Sequence, residues 1–252
     1  MNFNQIIIIG KGKVAISCHK IICDTFLSKK IFFYNRDFKD DEFFNRISNS
    51  LIISANNAYI FKKKCIQNNI IINYHNSLLP KYKGRNAHIW AIWNKENITG
   101  ITWHKVDCTI DTGDIILQKE IKINNSLTAI KLLQIQQNLA INSFRECLAN
   151  IKKSYPQSKI NSISIGGRIY KMKELPNNGL LDITWDIQTI ERFLKAMDNG
   201  NLTPKAKIKI NDIVYDISFY EINHLEIILF LSNNMKIVFQ KKEHDATNTR
   251  IF

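Results

Sequence analysis

The chain has 252 residues, 45% of them hydrophobic and 23% charged, ordinary proportions for one large globular domain or one domain with a small appendage. These values exclude a disordered, collagenous or disulfide-scaffold chain, and the longest apolar runs fall far short of the ~20 residues that a membrane span needs. The formal net charge of +13 attracts polyanions such as nucleic acid, phosphorylated metabolites or anionic membrane, or it reflects a lysine-rich surface in a chain crowded with Ile, Asn and Lys; charge alone does not choose.

Residues 5–9 read as a buried strand closed by Gly10-Lys11-Gly12-Lys13, and a helical pattern follows over residues 14–27. Residues 30–34 read as a second strand and 51–54 as a third, followed by a helix-like stretch from Asn56 to Asn68 and a fourth strand over 70–74. Strands alternating with helices of this length predict a parallel sheet with crossover helices. Such sheets bind ligands at the carboxyl ends of their strands.

A glycine-containing loop follows Pro80, then a helix over 87–93, and residues 99–106 and 115–123 read as paired strands. A long helix is expected over 126–152, with Ser126 as its N-cap. Residues 155–179 are polar and hold Pro156, Gly166, Gly167 and Pro176, so they read as a linker between domains. Beyond it come one helix over 186–197 and four strands over 206–210, 214–220, 227–231 and 235–239. The expected boundary separates a larger α/β domain, 1–175, from a small β-rich domain, 176–252.

The five cysteines form no CxxC pair, so neither a zinc site nor a disulfide framework is indicated, and reduced thiols fit the cytosol. The start of the chain lacks a basic n-region and a small-residue cleavage site, and a cytoplasmic location is the expectation. The glycine turn at 10–12 invites a dinucleotide reading. Position 15 is Ala, which the fingerprint tolerates, but no acidic residue closes the second strand. A glycine turn that simply feeds a helix explains it equally well, and its backbone N–H groups and lysines also suit a phosphate.

The informative block is Asn73-Tyr74-His75-Asn76-Ser77-Leu78-Leu79-Pro80. Asn73 and His75 sit two apart at the end of an apolar strand, so alternation puts both side chains on one face. A carboxamide and an imidazole aimed together supply a hydrogen-bond donor and a titratable group, as acyl transfer requires at a developing oxyanion. Downstream, Asp111-Thr112-Gly113 places an acid before a tight turn into a strand, suited to orient or charge an imidazole.

With the strand Thr99-Gly100-Ile101-Thr102 between them, these blocks resemble the catalytic core of the formyltransferases that use N10-formyltetrahydrofolate. That family includes glycinamide ribonucleotide transformylase, methionyl-tRNA formyltransferase and the nucleotide-sugar N-formyltransferases. The resemblance extends over roughly the first 200 residues, since Leu181-Asp182-Ile183-Thr184-Trp185 also looks like the start of the family's C-terminal domain. It implies a Rossmann-like parallel-sheet catalytic domain carrying a small C-terminal β-rich domain.

The resemblance further implies that Asn73, His75 and Asp111 are catalytic and that no metal takes part. It places the folate near Ser54, Ala55 and Asn56 and near Val106, Asp107 and Ile110. The wording around residues 54–61, 81–86 and 99–104 is similar to the nucleotide-sugar enzymes, which act mostly on dTDP-linked amino-dideoxyhexoses for bacterial surface polysaccharide. On that likeness Gly12, Lys13, Asn76, Lys81, Tyr82 and Arg85 are expected to bind the nucleotide sugar, with Lys11 and Lys83 adding charge toward its diphosphate. The expected acceptor is dTDP-4-amino-4,6-dideoxyglucose. A tRNA acceptor is the alternative, disfavoured because the segment after Asp37 is short and acidic and no basic cluster is interleaved with aromatics. The resemblance also implies a homodimer formed through the β-rich domain, with no membrane partner. His88 and His104 are expected to be structural or substrate-lining.

Overall fold

A computed structural model describes residues 3–154, 167–241 and 249–251. The chain forms two compact units that interleave along the sequence: 1–87, 98–122 and 133–170 make the first, and 88–97, 123–132 and 171–252 the second.

The first unit is built on a six-stranded sheet of β1 (Gln5–Ile9), β2 (Lys30–Tyr34), β3 (Ser50–Ser54), β4 (Ile70–His75), β6 (Ile98–Lys105) and β7 (Ile115–Lys122), in the order β2-β1-β3-β4-β6-β7. Strands β1 to β4 are mutually parallel, whereas β4–β6 and β6–β7 pair antiparallel. The sheet is therefore mixed: residues 76–97 bring β6 back antiparallel to β4, and the short loop of residues 106–114 returns β7 antiparallel to β6. A two-stranded piece, β5 (Lys83–Gly84) with β8 (Ile169–Tyr170), completes this unit.

Strict alternation gives the sheet two apolar faces. Ile6, Ile8, Leu51, Ile53, Ile72, Tyr74, Ile101 and Trp103 pack with α1 (Lys13–Thr25) and α5 (Ala129–Ser154) through Val14, Cys18, Ile22, Phe144 and Cys147. Ile7, Ile9, Ile52 and Ile71 face the other way, onto Phe38, Phe44, Phe61 and Cys65. Each fully buried isoleucine contributes roughly 1.5–3 kcal/mol, so β1, with four of them at 0% exposure, anchors both layers. The alternation that packs Ile72 and Tyr74 on one face puts Asn73 and His75 on the other.

The helix-like reading of residues 56–68 resolves into a shorter helix, α3 (Lys63–Asn68), preceded by irregular chain. The expected N-cap Ser126 is bonded instead, through its N–H and Oγ, to the Asn124 carboxamide oxygen, and α5 starts three residues later. A helix that the pattern missed, α2 (Asp41–Arg46), uses Asp40 as N-cap, its carboxylate accepting from the Phe43 N–H. Of the expected linker, 155–166 lies outside the described residues; β8 and a 3-10 turn, Pro176–Gly179, occupy part of the rest.

The second unit holds α4 (Ala87–Trp93), α6 (Ile187–Met197) and a second six-stranded sheet, β14-β13-β12-β11-β10-β9. Its strands are β9 (Leu180–Leu181), β10 (Lys207–Ile210), β11 (Ile213–Ile222), β12 (Glu226–Leu231), β13 (Lys236–Gln240) and β14 (Thr249–Ile251). Asp186 caps α6 by accepting from Thr189 N–H. The β-rich C-terminal region expected from the sequence is present. No helix among the described residues is long and apolar enough to cross a membrane.

Candidate active site

Strand β4 ends at His75, at the carboxyl edge of the parallel part of the sheet, and the register places Asn73 opposite His104 and His75 opposite Thr102 of β6. The four side chains therefore form a polar patch on one face. Asp111 joins them from the loop between β6 and β7. Its φ of 52° is left-handed, a conformation that Asp tolerates better than most residues.

That loop is tightly knitted. The Asp107 carboxylate accepts from Thr109 N–H at 3.0 Å and from the Thr112 hydroxyl at 2.6 Å. A Cβ on Gly113 would lie 2.0 Å from the Lys105 carbonyl oxygen, so glycine alone permits this return. The Asp111 carboxylate accepts the Gly84 N–H at 2.7 Å through Oδ2. The same oxygen lies 3.4 Å from His75 Nδ1, and Oδ1 lies 3.4 Å from His104 Nε2.

Both imidazoles are pinned by main-chain carbonyls. His75 Nε2 donates to Tyr82 O at 2.8 Å, and His104 Nδ1 donates to Lys105 O at 2.7 Å; carbonyls only accept, so each bond fixes the proton on that nitrogen. Asn73 Nδ2 donates to His104 Nε2 at 3.2 Å. In two neutral rings, His75 Nδ1 and His104 Nε2 would both turn lone pairs toward an ionised carboxylate. A proton taken up at His75 Nδ1 removes that repulsion on the His75 side of the carboxylate.

Burial pushes the His75 imidazole below its ordinary value, opposed by the Asp111 carboxylate and the Tyr82 carbonyl and reinforced by His104 and Arg85. Burial would raise Asp111, but His75, His104 and the Gly84 N–H outweigh it and hold the carboxyl well below the usual range. The result is an ionised carboxylate beside a neutral imidazole that is ready to take a proton. Asn73 adds a second donor, since a primary amide has two N–H groups and one is engaged with His104. A carboxamide donor, a buried imidazole and a carboxylate in one cluster can stabilise an oxyanion and move a proton.

The family model described as "Formyl transferase" matches residues 33–146, a stretch that contains Asn73, His75, His104 and Asp111. Residues 33–146 belong to the formyl transferase family. A GDP-perosamine N-formyltransferase of Brucella melitensis is 34% identical over 151 residues, covering 60% of this chain and 56% of that protein. A methionyl-tRNA formyltransferase of Acetivibrio thermocellus is 43% identical over 83 residues, covering 33% of this chain and 27% of that one. The chain thus spans little more than half the length of the first of these relatives and about a quarter of the second. An N-formyltransferase structure from Helicobacter canadensis, in complex with folinic acid and dTDP-3-aminofucose, superposes with a TM-score of 0.70 at 20% identity, covering 96% of this chain and all of that one.

Within the formyl transferase segment, the structure brings Asn73, His75 and Asp111 together and adds His104, whose contact with Asp111 makes it more than a lining residue. Of the expected folate residues, Ser54 ends β3 beside Asn73 in register. Ala55 is fully buried, its N–H donating to Ile9 O, and Asn56 sits at φ 57°. Val106 N–H donates to Ile71 O, and Ile110 is exposed. Asp107 is occupied within its own loop.

Of the expected nucleotide-sugar residues, Gly12 caps α1 without a side-chain partner and Lys13 Nζ donates to Asn138 Oδ1 at 2.6 Å. Lys11 pairs with Asp37 at 2.8 Å. Arg85 lies within electrostatic range of both Asp37 and His75, while Asn76, Lys81 and Tyr82 belong to the turn beside His75. Lys83, expected to add charge toward the diphosphate, is buried at 1% exposure. Among the described residues no group of three or more His, Cys, Asp and Glu forms a metal site.

Proposed function

We propose that this protein moves the formyl group of N10-formyltetrahydrofolate onto the amine of a nucleotide-linked amino sugar. The observation that carries this reading is the cluster Asn73–His104–Asp111–His75 inside a formyl transferase segment. The GDP-perosamine relative and the folinic acid and dTDP-3-aminofucose bound by the structural neighbour support the donor and the acceptor class.

In the proposed reaction the acceptor nitrogen forms a bond to the formyl carbon, giving a tetrahedral oxyanion. Asn73 donates to that oxyanion, and His75, once it takes up the proton that the acceptor nitrogen releases, adds positive charge beside it. The bond from the formyl carbon to folate N10 then breaks. N10 receives that proton through His75. The proton inventory of the protein is unchanged at the end of the cycle.

Ser54 to Asn56 and Val106 to Ile110 are proposed to line the folate, mainly through backbone. Gly12, Lys13, Asn76, Lys81, Tyr82 and Arg85 are proposed to face the nucleotide sugar, with Arg85 offering a fork suited to phosphate. The finer proposal is dTDP-4-amino-4,6-dideoxyglucose as acceptor, in the cytoplasm, for surface polysaccharide such as O-antigen. Residues 1–175 are proposed as the catalytic domain and 176–252 as an accessory domain for dimerisation and nucleotide contacts. The test is release of tetrahydrofolate from N10-formyltetrahydrofolate against dTDP- and GDP-linked 3-amino and 4-amino sugars and initiator methionyl-tRNA. Turnover with one amino sugar is expected. Turnover with tRNA alone, which the charge of +13 would favour, overturns the sugar reading.

A further inference from the structure

The segment between His75 and Gly84 is held by specific hydrogen bonds to its main chain. The Asn76 carbonyl accepts from Gln136 Nε2 at 2.8 Å, and the Ser77 carbonyl from the Thr102 hydroxyl at 2.6 Å. The Leu78 carbonyl accepts from Lys81 N–H at 3.0 Å, and the Leu79 carbonyl from Gln118 Nε2 at 2.9 Å. The Lys81 carbonyl accepts from the Ser77 hydroxyl at 2.5 Å, and the Tyr82 carbonyl from His75 Nε2 at 2.8 Å. Tyr82 itself is left-handed, with φ 56°, a conformation that costs an aromatic residue on the order of 1–3 kcal/mol unless its surroundings enforce it.

Two side chains organise this arrangement. Thr102 Oγ1 donates to Ser77 O, accepts from Leu79 N–H at 3.1 Å and accepts from Gln118 Nε2 at 3.0 Å. That fills the one-donor, two-acceptor capacity of a hydroxyl at a residue with 0% exposure. Gln118 donates from Nε2 to both Thr102 and Leu79 O. The register sets them in line, His75 opposite Thr102 on β4 and β6, and Thr102 opposite Gln118 on β6 and β7. Neither side chain is bonded to the catalytic cluster; their bonds end on the turn that delivers the Tyr82 carbonyl to His75.

We infer that Thr102 and Gln118 are positioning residues: through the 76–82 turn they hold the Tyr82 carbonyl on His75 Nε2 and so keep His75 Nδ1 facing Asp111. The pair fixes which ring nitrogen carries the proton, not merely where the ring sits. If the turn relaxes, Nε2 loses its acceptor and the alternative tautomer, with Nδ1–H donated to Asp111, becomes accessible.

The inference rests on the formyl-transfer reading only for its activity arm. Thr102→Val keeps the shape and removes the hydroxyl, Thr102→Ser keeps the hydroxyl, and Gln118→Met keeps the length at a less buried position. The tautomer of His75 is read from ring 15N shifts in the full chain, assigned with His75→Gln, and needs no turnover. Thr102→Val and Gln118→Met are expected to shift His75 away from the Nε2–H form. They are also expected to lower kcat about 10²-fold, the scale of small misplacements at a reacting group, with KM for the folate within 2-fold. Thr102→Ser is expected to restore both readouts.

An unchanged tautomer in Thr102→Val and Gln118→Met overturns the inference, and so does failure of Thr102→Ser to rescue. If Thr102→Val does not fold, Gln118→Met decides alone by the same two readouts. A wild-type chain that transfers no formyl group strikes the proposed function, while the 15N result still decides this inference.

Discussion

Replacing Asp111 by Asn separates chemistry from folding more cleanly than any other change at the site. Asn adopts the left-handed φ of 52° as readily as Asp, and its carbonyl oxygen still accepts the Gly84 N–H. Its NH2 can donate to one of the two imidazole nitrogens that faced the carboxylate, so the backbone trace and most bonds survive. What disappears is the charge. Two unit charges 3.4 Å apart in a medium of effective dielectric ~20 interact by roughly 5 kcal/mol. Both side chains are nearly buried, at 5% and 11% exposure, so solvent screens this little.

Without that support the protonated form of His75 that the reaction requires is harder to reach, and its pKa falls further below the ordinary value. The expected result is a fall in kcat of about 10²–10⁴, the span of general acid–base contributions, with stability changed by less than about 1 kcal/mol. The assay pairs tetrahydrofolate release with urea denaturation. A kcat within 3-fold of wild type would refute the role given to the Asp111 charge. A loss of stability matching the loss of activity would show that Asp111 serves the fold instead.

Two further expectations concern the scaffold. His88 is buried, donates to the Asn199 carboxamide oxygen at 2.9 Å and is pushed by burial down to about 4. Its folded pKa lies below its unfolded one, so its contribution is complete above pH ~6.5 and is lost as pH falls toward 4; about 2 kcal/mol of stability should go by pH 5. Urea midpoints against pH should fall less steeply for His88→Gln, and parallel curves would contradict the assignment. At the first turn, an Ala Cβ at position 10 would lie 1.7 Å from the Ala55 carbonyl oxygen, at φ 129°, whereas at Gly12 it meets nothing within 4 Å. Gly10→Ala should therefore cost roughly 3 kcal/mol or more and Gly12→Ala about 1 kcal/mol; equal losses in thermal melts would disprove the close approach.

Much of this was legible in the chain because periodicity and apolar content are local. Residues 5–9 and 30–34 gave their strands at the observed bounds, and the helix over 87–93 did too. Asn73 and His75 were readable as a pair because a strand has a period of two. His104 was not, because its role depends on the antiparallel register that sets it opposite Asn73, and register is not written in one strand. Asp107 carried the opposite difficulty: an acid in the expected folate loop proved to be consumed by Thr109 and Thr112 of that loop. The pairing of 99–106 with 115–123 was readable, but the antiparallel direction of β6 on β4 was not, because it depends on how residues 76–97 return the chain and not on the strands themselves. The Tyr82 carbonyl left no trace at all, since backbone groups have no side-chain signature.

The most direct test of the central claim is the mass of the acceptor after reaction with N10-formyltetrahydrofolate carrying a 13C-labelled formyl carbon. The account predicts that one amino sugar of the panel gains a single labelled CO unit on its amine, and that His75→Gln and Asp111→Asn suppress the gain. Folate that loses its formyl group while every acceptor keeps its mass would contradict it, because the cluster would then be delivering the formyl carbon to water.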